Sequence, residues 1–567
     1  MHTGTSSKSK ISTDQISKEV CDGQGEGLAS EKFQVRKARR VGEANPRNYF
    51  RIDGEVGPSW DIPNNDIESV SHAVLERVFF VKSPKGGFQR APKPWDHPSV
   101  IDEPNPRKAA EEKMRSRFRK FVAKMQSAAN NHGKVSPMTD QEFLDSYGGA
   151  KRRCYEAAVE SFRDRPLEER DCEVKVFTKD EYRKPGGAPR AIQPRSPRYN
   201  VKLGRHIKHL EHKIFDAIDE IFDPSRSHRT VAKGMNMNTR GETIAKMWSE
   251  FNDPIAVGLD ASRFDQHINK ILLDNEQRIY QMWAVGHGAD LPSLKSLLRA
   301  QLVNKGCYRG KDGKLKYQVQ GCRMSGDMNT SLGNVVVMCM LMYAYFSHKG
   351  LLGKVRLLND GDDCVIIMDR KYLKPFIHGL TDWFLEMGLT MEFDGIYHSL
   401  ESIEFCQSRP VLINGKYRLV PRPTKRLYSD VITTKRIDVK KVYLKQVGAI
   451  AGCGLAASSG LPVFQSFYSW LGRGATPWIP EQGNHYFKYR QELVKGMDVK
   501  TREINWEDRI SFYFAYDITP SEQILLEQYY ESKPDPIWCE PTSDPIRHLD
   551  TAQYLAFPQQ QERKDEF

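Results

Sequence analysis

The 567 residues carry 85 Lys and Arg against 73 Asp and Glu, a net charge of +12, which suits a polyanionic partner without naming one. Ten cysteines form no Cys-x-x-Cys pair, so the sequence offers no zinc spacing and fits a reducing compartment. No G-x-x-x-x-G-K-[ST] motif occurs, which leaves a P-loop ATPase or helicase unsupported.

In chain order, residues 1–45 are polar, charged and poor in aromatics, and the sequence predicts a disordered basic tail there. No signal peptide is expected, because "MHTGTSSKSKISTDQ" lacks an apolar core. The tail contains "RKARR" (Arg36 to Arg40), a candidate RNA contact or sorting signal that reads equally as a solvated basic run. Residues 85–107 are rich in Pro and Gly and predict an irregular segment. From about 108 to 165 the pattern is helical, with "MRSRFRKFVAKM" as a basic amphipathic stretch. Strands and helices then alternate to about 530, before a polar tail ending "FPQQQERKDEF".

The segment "KVFTKDEYRKPGGAPRAIQPRSPRYN" gathers Lys175, Lys179, Arg183, Lys184, Arg190, Arg195 and Arg198 around a Gly-Gly turn. Arginine forks suit phosphate, and an exposed charged hairpin is the plainer alternative. Downstream, His206, His209 and His212 recur every third residue in "LGRHIKHLEHKIF", which reads as the polar face of a basic helix, with a metal site as the alternative. Ile255 to Leu259 predict a buried strand with Asp260 at its C-terminal end and Asp265 five residues on. By themselves these two aspartates also suit a helix cap and a solvated turn. In "GCRMSGDMNTSLGNVVVMCMLM", Ser325-Gly326 reads as a loop and the following residues as a helix, with Thr330 and Asn334 on one face. That hydroxyl and amide suit a sugar hydroxyl, or else a helix cap and a solvent-facing amide. The run Val335 to Phe346 is too short to cross a bilayer and reads as a buried helix.

"LLNDGDDCVIIM" (Leu357 to Met368) sets Asp360, Asp362 and Asp363 between two oily runs. Asp-Gly there signals a β-hairpin, with Gly361 and Asp360 suited to positive φ. Carboxylates held together on a rigid edge repel one another unless a cation is expected. Asp260 and Asp362, at two strand ends, could converge on one sheet edge as a two-metal site for phosphoryl transfer. Further on, "GAIAGCGLAASSG" (Gly448 to Gly460) reads as close helix packing or a loop.

Asp260-x4-Asp265, Ser325-Gly-x3-Thr330-x3-Asn334 and Gly361-Asp362-Asp363 resemble, in this order, motifs A, B and C of positive-strand viral RNA-dependent RNA polymerases. "APRAIQPRSPRYN" resembles the basic motif F of the tombusvirus-like replicases (Tombusviridae, with umbravirus- and luteovirus-type members). "KGMNMNTRGETIAKMWSEFNDPIAVGLDASRFDQH" resembles the run leading into their motif A, and "IEFCQSRPV" (Ile403 to Val411) their motif E. The resemblance implies an α+β right-hand fold of fingers, palm and thumb, with an antiparallel palm sheet and a helical thumb. It divides the chain into a tail at 1–45, an N-terminal extension at 46–165 and fingers with motif F at 166–250. Palm motif A follows at 251–270, a fingers insertion at 271–320, palm motifs B to E at 321–411, a thumb at 412–530 and a C-terminal tail at 531–567.

The resemblance also implies roles. Asp260, Asp362 and Asp363 would be catalytic and hold two Mg²⁺ ions, with Mn²⁺ able to substitute. Asp265, Ser325, Thr330 and Asn334 would select the ribose 2′-OH; Lys179, Lys184, Arg190 and Arg195 would bind the NTP triphosphate. Cys406, Gln407, Ser408 and Arg409 would lie near the primer 3′ end. RNA template and product and NTPs are the implied ligands, with a viral auxiliary protein and host factors as partners. With no intrinsic transmembrane segment expected, a partner or an upstream extension would recruit the chain to membrane-associated replication complexes in the host cytoplasm. A lysine that many relatives carry after Gly-Asp-Asp has no counterpart between Lys374 and Lys416, which leaves the general acid for pyrophosphate unassigned. A reverse transcriptase is disfavoured by Asp265, where a bulky residue would exclude the 2′-OH. A non-catalytic RNA-binding subunit would not need to keep Asp260, Asp362 and Asp363.

Overall fold

The computed structural model describes residues 31–37, 50–51, 63–83, 87–181, 187–284, 290–433, 439–477, 494, 496–497 and 499–536. Helices and small, mostly antiparallel sheets are mixed along the chain, an α+β composition. Two compact units result: Met1–Pro46, Asp61–Val231 and Phe251–Ile396 in the first, and Arg47–Trp60, Ala232–Glu250 and Tyr397–Phe567 in the second.

Four long helices frame the first unit: α1 (Pro106–His132), α2 (Pro197–Phe222), α3 (Lys270–Trp283) and α4 (Thr330–Lys349). Asn105 caps α1 by accepting the Lys108 N–H at 3.0 Å, and Pro106 fits the first turn, where no N–H is needed. The basic stretch read as amphipathic turns Met114, Phe118, Phe121 and Met125 into the core at helical spacing. In α4, every residue from Val335 to Phe346 is buried. This helix is long and apolar enough to cross a membrane by length and composition, and it forms the centre of the unit's core.

Eight strands build two sheets: β1 (Lys32–Lys37), β2 (Val174–Lys175), β3 (Pro254–Ala261), β4 (Val303–Arg309), β5 (Gly313–Gln320), β6 (Val355–Asn359), β7 (Cys364–Asp369) and β8 (Met391–Tyr397). One sheet runs β1-β5-β4-β2, the other β6-β7-β3-β8. The first corrects the expectation of disorder for part of the N-terminal tail. Lys32–Lys37 pairs antiparallel with β5 because Phe33 alternates inward and is buried between Phe79 and neighbouring core residues. The rest of that tail, including residues 38–40 of "RKARR", and the C-terminal "FPQQQERKDEF" lie outside the described residues.

In the second sheet, β7 is central and wholly apolar from Cys364 to Met368, pairing antiparallel with β6 on one side and β3 on the other. The Cys364↔Leu259 register sets the 360–363 turn beside the C-terminal end of β3. In the second unit, β9 (Ser408–Ile413) and β10 (Lys416–Pro421) form a hairpin, with α5 (Lys440–Ser458), α6 (Trp506–Tyr516) and the helix Met237–Ser249 around it. Gly460 of "GAIAGCGLAASSG" follows α5 with a positive φ of +77°, whereas Gly448, Gly452 and Gly454 lie on the helix, where a Cβ at Gly448 would strike Thr476 and one at Gly454 the Tyr468 ring. Close helix packing is therefore their role.

Candidate active site

Asp260 is the penultimate residue of β3, a strand buried from Ile255 to Leu259. Solvent reaches its carboxylate, yet the surrounding protein first, and then the negative charges of Asp362, Asp394 and Glu392, push its pKa up to about 6. Asp362 comes from the turn between β6 and β7; Asp394 and Glu392 come from β8, the other neighbour of β3. The last two were not singled out in the sequence, because an acidic pair on an exposed strand has no local signature.

The turn is centred on Gly361-Asp362 rather than on Asp360-Gly361, with the Asp360 N–H donating to the Asp363 carbonyl at 3.0 Å. Asn359 pairs with Cys364, so four residues form the loop, and only Gly361 takes a positive φ, +99°. Asn359 organises it from inside: its side-chain amide donates to the Gly361 carbonyl at 2.7 Å and its Oδ1 accepts the Gly361 N–H at 3.1 Å. The Asn359 backbone N–H in turn donates to the Thr230 carbonyl at 2.8 Å. Asp362 is left exposed and Asp363 half-buried.

After β3, Arg263 enters the left-handed region (φ +48°) and reverses the chain into the short helix Phe264–His267 that carries Asp265. The Arg263 guanidinium anchors this bend on the Glu76 carboxylate, at 3.1 Å, and on the Phe80 carbonyl, at 2.9 Å. Asp265 accepts the Ser325 hydroxyl proton and, at 2.9 Å, the Asn334 amide. Three of the four residues expected to read a ribose are thus joined. Ser325 is held by its carbonyl, which accepts the Gln193 N–H at 2.7 Å, and Gly326 (φ +128°) permits the close approach of Pro194. Thr330, the fourth, points elsewhere: its hydroxyl donates to the Asp327 and Met324 carbonyls at 2.9 and 3.2 Å and shapes the start of α4.

Behind Asn334 lies a buried ion pair that the sequence did not reveal. Arg323 donates from Nε to Asn334 Oδ1 at 3.0 Å and binds the Glu276 carboxylate with the rest of its fork. Glu276 also accepts the Tyr280 hydroxyl at 2.7 Å and the Asn329 amide at 3.0 Å. Burial opposes the Arg323 charge, but Glu276 outweighs it and raises the guanidinium pKa.

The basic segment is divided. Lys179, half-buried, and Arg190, exposed, meet on Glu181 at 2.7 and 3.1 Å. Lys184 lies outside the described residues. Arg195 corrects the expectation of a triphosphate ligand. It is buried, paired with Asp327 at 2.7 Å, and bonded to Asn304 and to the Cys172 and Ala300 carbonyls, so its fork is already filled. His206 is buried and His209 bonds the Ser136 carbonyl at 3.0 Å, a structural use of that helix.

Cys406, Gln407, Ser408 and Arg409 belong to the second unit. Cys406 and Gln407 both have positive φ, +51° and +58°, in a tight turn closed by the Phe405↔Ser408 bridge. Arg409 donates to the Ala515 carbonyl at 2.6 Å and lies over the Tyr516 ring.

Residues 34–534 match the family model described as viral RNA dependent RNA polymerase. The chain belongs to that family. It is 37% identical over 529 residues to the RNA-directed RNA polymerase of Oat chlorotic stunt virus, covering 88% of this chain and 66% of that protein. With the RNA-directed RNA polymerase of Tobacco necrosis virus strain A it shares 36% identity over 485 residues, 83% of this chain and 62% of the relative. For that of Cucumber necrosis virus the figures are 35% over 504 residues, 88% and 58%. The chain therefore spans less than two thirds of the length of these relatives.

Polymerases of this family generally use divalent metal ions. Among the described residues no three His, Cys, Asp or Glu side chains form a ready-made metal cluster. Asp260 and Asp362 nevertheless fit such an ion. They supply hard oxygen donors, and the mutual repulsion that disfavours an ionised Asp260 is what a cation would relieve. A Mg²⁺ site of this class takes few protein ligands and completes its shell with water and substrate phosphates.

Proposed function

We propose that this chain carries the RNA-dependent RNA polymerase activity of a positive-strand RNA virus: template-directed attack of an RNA 3′-OH on the α-phosphate of an NTP, with release of pyrophosphate. The observation that carries the reading is the Cys364↔Leu259 register, which sets the turn of Asp362 beside Asp260 at the end of β3, in a member of this family. Two Mg²⁺ ions, with Mn²⁺ able to substitute, would be held by Asp260 and Asp362 with support from Asp363, and would activate the attacking hydroxyl and neutralise the leaving oxygen. Asp265, Asn334 and Ser325 bind the incoming ribose through its hydroxyls, Asp265 as acceptor and Asn334 as donor. Lys179, Lys184 and Arg190 receive the triphosphate, and Lys179 and Arg190 release Glu181 as they do. Arg195 and Thr330 hold the frame on which these groups stand. Positioning and charge neutralisation supply most of the rate for such a transfer.

In this reading the β6-β7-β3-β8 sheet is the palm, the basic segment belongs to fingers, and residues 412–530 form a thumb, with 403–411 near the primer 3′ end. Its ligands are an RNA template, the RNA product and NTPs; its partners are a viral auxiliary protein and host factors. Those partners, or an upstream extension, bring it to membrane-associated replication complexes in the host cytoplasm. Nucleotide incorporation on an RNA template tests the core of the proposal. Product should require Mg²⁺ and vanish in Asp362→Asn, which keeps the side chain's shape and removes its charge. Near-normal synthesis by that variant would end the assignment.

A further inference from the structure

The β1-β5-β4-β2 sheet of the first unit has one face in the core and one in solvent. Phe33, Tyr308, Leu315, Tyr317 and Val319 turn inward, so the residues that alternate with them turn outward. The outward set is basic. The register places Arg36 directly opposite Lys314 and Lys314 directly opposite Arg309, a row of like charges across β1, β5 and β4. In the next row Lys316 and Lys175 flank Cys307, and Lys32 follows in the row beyond. These Lys and Arg side chains are all exposed, and none of them forms an ion pair among the described residues. Arg36 also begins the "RKARR" run, whose first two residues belong to β1.

Like charges directly opposite one another on a sheet are destabilising, and a polyanion laid across them relieves the repulsion. Nearby acids do not do so. Asp312, in the turn between β4 and β5, is held by the Tyr308 hydroxyl at 2.9 Å and by the Ile67 N–H. Glu169 pairs with Lys305 at 2.5 Å and Glu173 leads into β2, both at the β4-β2 margin and away from Arg36 and Lys314. Alternate residues of a strand stand roughly 7 Å apart and neighbouring strands about 5 Å, so these cations tile a flat surface rather than enclose one small anion. No aromatic residue of these strands faces outward, so bases find nothing there to stack on and contact runs through phosphates. Their exposed large apolar side chain is Val303, at the start of β4, whereas a membrane-surface element needs a broad apolar face beside its cations. Lys175 is also the first cation of the segment that carries Lys179 and Arg190, the groups proposed for the triphosphate.

We propose that the outward face of this sheet, centred on Arg36, Lys314, Lys316 and Arg309, is a second RNA-binding surface, on a different sheet from the carboxylates, which holds an RNA strand by its phosphates without reading its bases. The choice of RNA among polyanions rests on the polymerase reading; the charge array does not. The probe is a labelled single-stranded RNA of mixed sequence, titrated by fluorescence anisotropy with the full chain carrying Asp362→Asn, without NTP or divalent cations. Arg36→Gln, Lys314→Gln and Lys316→Gln together remove the centre of the array. A control removes equal charge from the exposed face of α1, through Arg115→Gln, Arg119→Gln and Lys124→Gln. The sheet variant should bind at least about tenfold more weakly and lose about two from the slope of log K against log salt, while the α1 variant moves by less than about twofold. Its thermal midpoint should hold or rise, because the substitutions remove charges that face one another. Equal weakening in both variants would reduce the effect to net charge and overturn the proposal, as would unchanged affinity in the sheet variant or no RNA binding by the parent. Unchanged RNA affinity with lost binding to vesicles containing phosphatidylserine would give the face to a membrane instead. Because neither NTP nor metal is present, a chain that binds in the expected way yet makes no product in a separate incorporation assay would overturn the polymerase reading and leave this surface standing.

Discussion

Asn334 holds the Asp265 carboxylate with one end of its amide and accepts from Arg323 with the other, so its orientation is fixed by both neighbours. A donor so placed can distinguish a hydroxyl from a hydrogen, and a site built for a hydroxyl rejects the analogue lacking it. Asn334→Ala should lower the preference for NTP over dNTP by tenfold or more in single-nucleotide incorporation, while an unchanged ratio would remove Asn334 from sugar selection. His267, on the same short helix, sets a pH limit. Its Nδ1 meets the Arg263 carbonyl at 3.1 Å and its Nε2 is buried without a partner, so burial brings its pKa down to about 4. The unfolded chain protonates near 6.5, and below that pH it binds a proton that the folded chain refuses. Stability from this residue is therefore complete above about 6.5 and falls as pH drops toward 4, by about 3 kcal/mol in all. Urea midpoints of the parent and His267→Gln should converge as the pH is lowered; parallel pH profiles would contradict this.

At the scale of elements, α4 brings Asn334 to Asp265 only because Gly333 lets it close on the Arg323–Glu276 pair. A Cβ at Gly333 would lie 2.5 Å from both partners. Arg323→Met would leave Glu276 buried and uncompensated, at a cost of about 3–5 kcal/mol. Arg323→Met combined with Glu276→Met should recover most of that stability without recovering sugar selectivity, because Asn334 would still lack its anchor. Chemical denaturation and the NTP to dNTP ratio, measured on the same variants, separate the two effects. The 360–363 turn has an equivalent support in Asn359. Losing its two contacts to Gly361 in Asn359→Ala should reduce incorporation far more than RNA binding, because the carboxylates shift while the basic surface stays intact.

For the whole molecule, the net charge of +12 predicts that RNA affinity is largely phosphate contact and counterion release. Binding should weaken at least about tenfold between roughly 50 and 200 mM salt in fluorescence anisotropy, and salt-independent binding would contradict this.

Much of this was legible in the chain. The apolar runs around Asp260 and Asp362 gave two buried strands with carboxylates at their ends, since strand burial follows from local hydrophobicity. Asp265, Ser325 and Asn334 were readable from motif order. Asn359, Glu276 and Arg323 were not, because a buried polar residue looks locally like an exposed one until its partner, 47 positions away for Arg323, is brought to it. Arg195 and Thr330 illustrate the converse. Both have the right chemistry for a substrate, and only packing decided that Asp327 would fill one fork and backbone carbonyls would accept the other's hydroxyl proton. The sequence by itself determined the residue types, the element periods and the family, because these depend on local pattern and motif order. The tertiary structure alone decided which polar groups are satisfied internally and which are left to meet a ligand, because hydrogen-bond satisfaction is a property of neighbours that the chain brings together only by folding.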